Sequence, residues 1–154
     1  MTTTTTTAMT MMIKNASNGT ASMRLLVIRK VIAVGVALTG SCVFAATPAE
    51  VLSTYTAQAG AAAQPARGQQ LFTTKHGKEW SCATCHSSAP TVDGKHATTG
   101  KLISPLAPAF NAERFTDIAK SDKWFRRNCN DVMGRECTAV EKADVLAWLM
   151  TFKK

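Results

Sequence analysis

Nowhere in this 154-residue chain do apolar and polar residues alternate over the four to eight positions of a half-buried strand, so a sheet-based fold is excluded. Long apolar runs are also missing. The best stretch, Val31 to Ala46, is interrupted by Thr39, Gly40 and Ser41, and it falls short of the roughly 20 residues that a membrane span requires. Cysteine is sparse, at five residues, and no second Cys/His pair stands at ligand spacing, which argues against a structural zinc site. No βαβ pattern surrounds the one Cys-X-X-Cys, which argues against a thioredoxin-like redox pair. The basic residues are scattered and have no aromatic stacking pattern beside them, so nucleic acid is not an expected partner.

What is present divides the chain in three. Residues 1–22 form a low-complexity extension rich in Thr, Met, Ala and Asn. Residues 23–46 read as a cleaved secretory signal peptide: Arg24, Arg29 and Lys30 precede the apolar run, and Val43-Phe44-Ala45 fits the small-residue cleavage rule. Residues 47–154 remain as one small mature domain, expected in the periplasm. In it fourteen Lys and Arg face ten Asp and Glu, a balance of +4 that suits docking to an acidic redox partner as well as it suits solubility.

The most specific stretch is Cys82-Ala83-Thr84-Cys85-His86. Thiols at i and i+3 face the same way on one helical turn, so both can add to the two vinyl groups of a single porphyrin. A His directly after the second thiol reaches the iron. The expected cofactor is therefore one haem c, covalent through Cys82 and Cys85, with His86 as proximal metal ligand. A buried macrocycle also supplies apolar contact that a domain of this size lacks.

The remaining elements read as helices and loops. Thr47-Pro48-Ala49-Glu50 is a capping box opening a helix through Tyr55 that stops near Gly60, and Pro65 opens a second over Ala66 to Thr73. Residues Ser87 to Pro108 hold too many breakers for regular structure and are expected to wrap the haem edge, with Ile103, Leu106 and Ala107 as apolar contacts. A longer helix is expected from about Thr116 to Val132, burying Ile118, Trp124, Phe125 and Cys129, with Gly134 ending it. Thr138-Ala139-Val140-Glu141 starts the terminal helix, which is expected to cross an earlier one where Gly68 admits Trp148. Cys129 and Cys137 are left as a pair, expected to form a disulfide worth on the order of 2.5 kcal/mol in the chain-entropy account.

Function turns on the second axial position of the iron. A Met thioether makes a closed electron carrier, whereas a weakly held position admits small ligands. His76 and His96 read as solvated loop residues and Met150 as a packing residue. Met133 lies at a suitable distance beyond His86 but lacks the Pro-rich surroundings of a usual axial Met. Asn128 and Asn130 flank Cys129, and an amide oxygen is a hard, weak donor that favours ferric over ferrous iron. On spacing alone Met133 stands ahead of Asn128.

Resemblance reverses that order. Arg67-Gly68 with Leu71-Phe72, Ser81 to His86, Thr99-Gly100-Lys101, Pro105 to Pro108, Arg114 to Asp117, Trp124 with Arg127 to Asn130, Gly134-Arg135, Cys137-Thr138 and Glu141 to Asp144 followed by Leu146 to Leu149 resemble the SHP family of high-spin bacterial cytochromes c. The resemblance implies an all-α, class I cytochrome c-like fold wrapped round one haem. It implies Asn128 as the metal ligand in the oxidised state, lost on reduction to leave a site for O2 or NO, and Trp124 as a lining residue. It also implies a dihaem cytochrome c and a membrane b-type cytochrome as redox partners, and electron transfer with ligand binding in place of enzymatic turnover. Met133 departs from the family pattern and is the alternative ligand of an ordinary His/Met carrier. A peroxide, oxygen or nitrogen-oxide reductase is a further alternative. It needs a distal acid/base, for which Arg126, Arg127 and His96 stand at no recognisable spacing.

Overall fold

The computed structural model describes residues 45–77 and 79–154, so the expected extension, and the signal peptide up to Phe44, lie outside the described residues. Five helices and one minimal hairpin make up the domain: α1 Pro48–Ala59, α2 Pro65–Thr73, α3 Cys82–His86, β1 Gly94–Lys95, β2 Leu102–Ile103, α4 Ile118–Met133 and α5 Ala139–Leu149. Among the described residues no helix is long and apolar enough to cross a membrane.

Both capping boxes form. Thr47 Oγ1 accepts from the Glu50 amide at 3.2 Å while Glu50 accepts from the Thr47 amide at 2.6 Å; Thr138 and Glu141 repeat the exchange at 3.2 and 2.8 Å. Gly60 and Gly134 end α1 and α4 with φ of 63° and 70°, a left-handed conformation that a Cβ resists. The start of α4 falls two residues later than expected, because Asp117 is its cap and accepts from the Lys120 amide at 2.9 Å.

The architecture hangs on α5, which packs on α1 and α2. Val51 and Tyr55 of α1 meet Ala143 and Leu146, while Phe72 of α2 meets Val145, Trp148 and Leu149. Phe115 and Phe125 pack against both groups. Met150 joins the first group, the packing role expected for it.

Where α2 crosses α5, a Cβ on Gly68 would lie 2.0 Å from the Asp144 carbonyl oxygen. The expectation that Gly68 admits Trp148 is therefore corrected. The backbone one turn earlier is what approaches, and Trp148 packs instead on Phe72, with ring centroids 4.9 Å apart. The Asp144 carboxylate is buried at the crossing, where it accepts from the Gln64 amide at 2.7 Å and pairs with the Arg67 guanidinium. One side chain thus ties the start of α2 to the middle of α5.

Two further expectations change. The segment after α3 is not wholly irregular: β1 and β2 pair antiparallel, Gly94 with Ile103 and Lys95 with Leu102, strands too short to carry a readable period. Trp124 is not a core residue. The buried stripe of α4 runs through Ser121, Cys129 and Val132 with Phe125 packed beside it, and Trp124, about 100° round the helix from Phe125, is 44% exposed.

Candidate haem-attachment site

Cys82–His86 forms a single helical turn, α3. The Ser81 amide donates to Thr84 Oγ1 at 3.0 Å, closing the turn at its start. Cys82 and Cys85 are free thiols three residues apart, and His86 follows at once. Cys82 and Ala83 pack against the Phe72 and Trp148 group, so the turn is anchored in the core from one side. The Phe72 ring stands 6.2 Å from the His86 imidazole, with Trp148 behind it.

The hairpin closes the other side. A Cβ on Gly94 would lie 2.0 Å from the Cys85 carbonyl oxygen and 2.9 Å from the His86 Cα. The Ala97 amide lies 3.3 Å from Cys85 Sγ. Leu106 and Ala107 both donate to the Pro90 carbonyl at 2.9 Å, which draws the far end of the loop back to the turn. Of the three expected apolar contacts, Ala107 is fully buried, Leu106 packs on the Phe72 group and Ile103 is half-buried.

Burial, and secondarily the Arg114 cation, hold His86 down at about 4, so its imidazole is neutral at neutral pH and keeps a lone pair for a metal. Burial pushes the Cys82 thiol up to about 11. Arg114 donates to the carbonyls of Pro105 at 3.0 Å and Ser104 at 2.7 Å, and no carboxylate pairs with it among the described residues. Ser87, directly after His86, has φ 65° and ψ 152°, a region that belongs almost entirely to glycine.

The second half of the expected site lies on α4. Cys129 and Cys137 are bonded, with Cα atoms 5.6 Å apart, as expected. Asn128, half-buried, precedes that bond, and Trp124 lies one turn back on the same face of the helix. The Arg127 guanidinium sits 5.8 Å from the centre of the Trp124 ring. Met133 is five residues beyond Asn128, about 140° round the helix. It shares a flank with Asp122, which accepts from Tyr55 Oη at 3.1 Å and pairs with Lys142 at 2.7 Å. No hydrogen bond, ion pair or aromatic contact among the described residues links Trp124, Asn128 or Met133 to α3.

His76 and His96 are not simply solvated. The His76 Nε2 donates to the Leu71 carbonyl at 2.7 Å and finishes α2; His96 Nδ1 accepts from the Thr98 and Thr99 amides at 3.3 and 3.2 Å and shapes the hairpin turn. Arg126 pairs with Glu136 at 3.5 Å. Sequence reasoning gave no role to Phe72, Arg114 or Gly94. Their contacts with the turn span many residues and carry no local signal.

The donor set fits a covalent haem. Two unbonded thiols share one face of a turn, a neutral imidazole follows, and no group of three or more His, Cys, Asp or Glu residues suited to a metal ion occurs among the described residues. Val92, Leu102 and Trp124 are large apolar side chains left more than two-fifths exposed, material for contact with an apolar macrocycle.

Comparison with known proteins leads to c-type cytochromes. The pattern of a family described as "Domain of unknown function (DUF1924)" matches residues 58–149. The cytochrome c-type protein SHP of Cereibacter sphaeroides is 48% identical over 130 residues, 82% of this chain and 96% of that protein. Among solved structures, oxidised SHP, described as an oxygen-binding cytochrome c, superposes with a TM-score of 0.65 at 46% identity, covering 70% of this chain and 99% of that one. Oxidised cytochrome c'' from Methylophilus methylotrophus superposes with a TM-score of 0.63 at 38% identity, covering 70% and 95%. The fold is thus the small, mostly helical cytochrome c-like fold, as expected.

Proposed function

The chain belongs to the family of SHP-type cytochromes c, and on that premise we propose that it carries single electrons and binds O2 or another small ligand at a position that Asn128 holds in the oxidised protein and gives up on reduction. The coarse assignment, a monohaem c-type cytochrome, follows from membership itself.

When attached, the haem supplies a one-electron couple and one exchangeable coordination position. Cys82 and Cys85 would hold it covalently, and the His86 imidazole would ligate its iron. Phe72, backed by Trp148, limits how far the imidazole tilts, while Gly94 allows the hairpin to press on the backbone between Cys85 and His86. Asn128 would offer the iron a carboxamide oxygen, a hard donor that prefers ferric over ferrous iron. The Cys129–Cys137 bond pins the backbone one residue away, so the exchange is confined to the Asn128 side chain. Trp124, on the same face, is placed to line the position it leaves.

The observation that carries this reading is the shared flank of Trp124 and Asn128 beside the disulfide, with Met133 about 140° round the helix from Asn128. Together with the resemblance to the SHP family, that arrangement favours Asn128 over Met133. The reading extends to export into the periplasm, supported by the disulfide and the leader-like composition of residues 23–46. It extends also to dihaem and membrane b-type cytochromes as electron partners, to NO as a second ligand, and to binding without turnover.

The test is the spin state of the ferric and ferrous protein beside that of Asn128→Ala. We expect the ferric spectrum to change in the variant and the ferrous spectra to coincide. An unchanged ferric spectrum would remove Asn128 from the iron, and a far-red band from sulfur-to-iron charge transfer would install Met133.

A further inference from the structure

The outer face of α4 has a feature that neither the haem site nor the core explains. At about 100° per residue, Lys120, Lys123 and Arg127 fall within an arc of about 60° over two turns. All three are exposed, and none forms an ion pair among the described residues. Arg126, next to the stripe, is engaged by Glu136. Like charges at i, i+3 and i, i+4 destabilise a helix by about 0.2–0.5 kcal/mol per pair, so helix stability does not account for the arrangement. Asp117 and Asp131 lie three residues before Lys120 and four after Arg127 but form no ion pair with them, so the stripe keeps a net positive charge.

Trp124 lies between this stripe and the flank that carries Asn128. It is 44% exposed, and the Arg127 guanidinium lies over its ring.

We propose that this face, Lys120, Lys123 and Arg127 with Trp124 at its edge, is the docking surface for an acidic electron-transfer protein. Three unpaired cations select an anionic partner by charge and raise its rate of encounter. The position selects one that exchanges electrons, because Asn128 occupies the adjoining flank of the same helix and a partner seated on the stripe lies beside the distal side of the site. The proposal rests on the reading of the protein as an electron carrier with Asn128 at the distal side of its site.

The test uses the haem-loaded protein and a reduced acidic flavodoxin as probe, one electron passing from the flavin hydroquinone to the ferric centre. Stopped-flow rates are compared, across ionic strength, for the triple variant Lys120→Glu, Lys123→Glu, Arg127→Glu and for Lys75→Glu, Lys153→Glu, Lys154→Glu, which alters net charge equally at exposed positions elsewhere. At low salt the α4 variant should lose about tenfold or more in second-order rate, the loss should fade as salt screens it, and the control should stay within about threefold. The neutral variant Lys120→Gln, Lys123→Gln, Arg127→Gln should lie between wild type and the Glu variant. Equal slowing of both Glu variants, or no slowing of either, overturns the docking surface. A wild-type protein that takes up no electron from excess dithionite overturns the carrier reading instead.

Discussion

Replacing Gly68 with alanine forces a methyl group into the close backbone approach between α2 and α5. The new Cβ would stand 2.0 Å from the Asp144 oxygen, 2.3 Å from its carbonyl carbon and 2.8 Å from the Val145 nitrogen, all backbone atoms that no rotamer change can move. Reaching a van der Waals separation of about 3.5 Å requires α2 and α5 to part by more than about 1 Å. Overpacking of this kind costs about 1–3 kcal/mol. Parting also strains the Asp144 carboxylate, which is 1% exposed, away from Arg67 and the Gln64 amide, and stripping a buried charge of its partner costs about 3–5 kcal/mol when complete. The better helix propensity of alanine returns about 1 kcal/mol. The expected net loss is about 3–5 kcal/mol, a large part of the about 5–15 kcal/mol that holds a domain together. Urea unfolding of the haem-loaded protein, followed by haem absorbance and Trp fluorescence, measures it. Gly60→Ala is the comparison, because Gly60 also resists a side chain, through its φ of 63°, but has nothing within 4 Å of its Cβ position. If Gly68→Ala loses no more stability than Gly60→Ala, the close approach does not hold α2 on α5 and the reasoning fails.

Ser87→Gly should stabilise the protein by about 1 kcal/mol, since relief of a φ/ψ costing about 1–3 kcal/mol outweighs the added chain entropy; a lower urea midpoint would refute the strain. Glu141 is held down at about 2, first by Arg135 and then by the Thr138 amide, so it supplies stability above the ordinary carboxylate range near 4.5 that is lost as pH falls through about 2. Because Arg135 is exposed, that supply is about 1 kcal/mol, and the gap in urea midpoint between wild type and Glu141→Gln should be full at pH 6 and narrow steadily below pH about 4.5. A gap independent of pH would mean that the pair contributes nothing through charge.

The features readable from sequence were those set by neighbours in the chain. Thr47 with Glu50, Thr138 with Glu141, Pro65 and the terminating glycines each act over three or four residues, and the helix boundaries they imply are the observed ones within about two positions. The haem turn was legible for the same reason. Trp124 was misplaced because burial depends on the angular phase of α4, which only its packing through Phe125 and Cys129 fixes. The partner of Gly68 was misjudged by one turn of α5, a distance that sequence spacing does not resolve. Arg114 and Asp144 act across 9 and 77 residues, and nothing local marks them. Asn128 was singled out by resemblance.

Phe115 and Phe125 pack against both apolar groups, one gathered round Tyr55 and the other round Trp148. Two small cores that share their bridging residues do not melt separately. Loosening α1 exposes Phe115 and Phe125, which also pack on the Phe72 and Trp148 group behind the haem turn, so disorder on either side is felt on the other and the domain unfolds as one cooperative unit. Thermal damage to the N-terminal helix is therefore expected to register in the absorption of the haem.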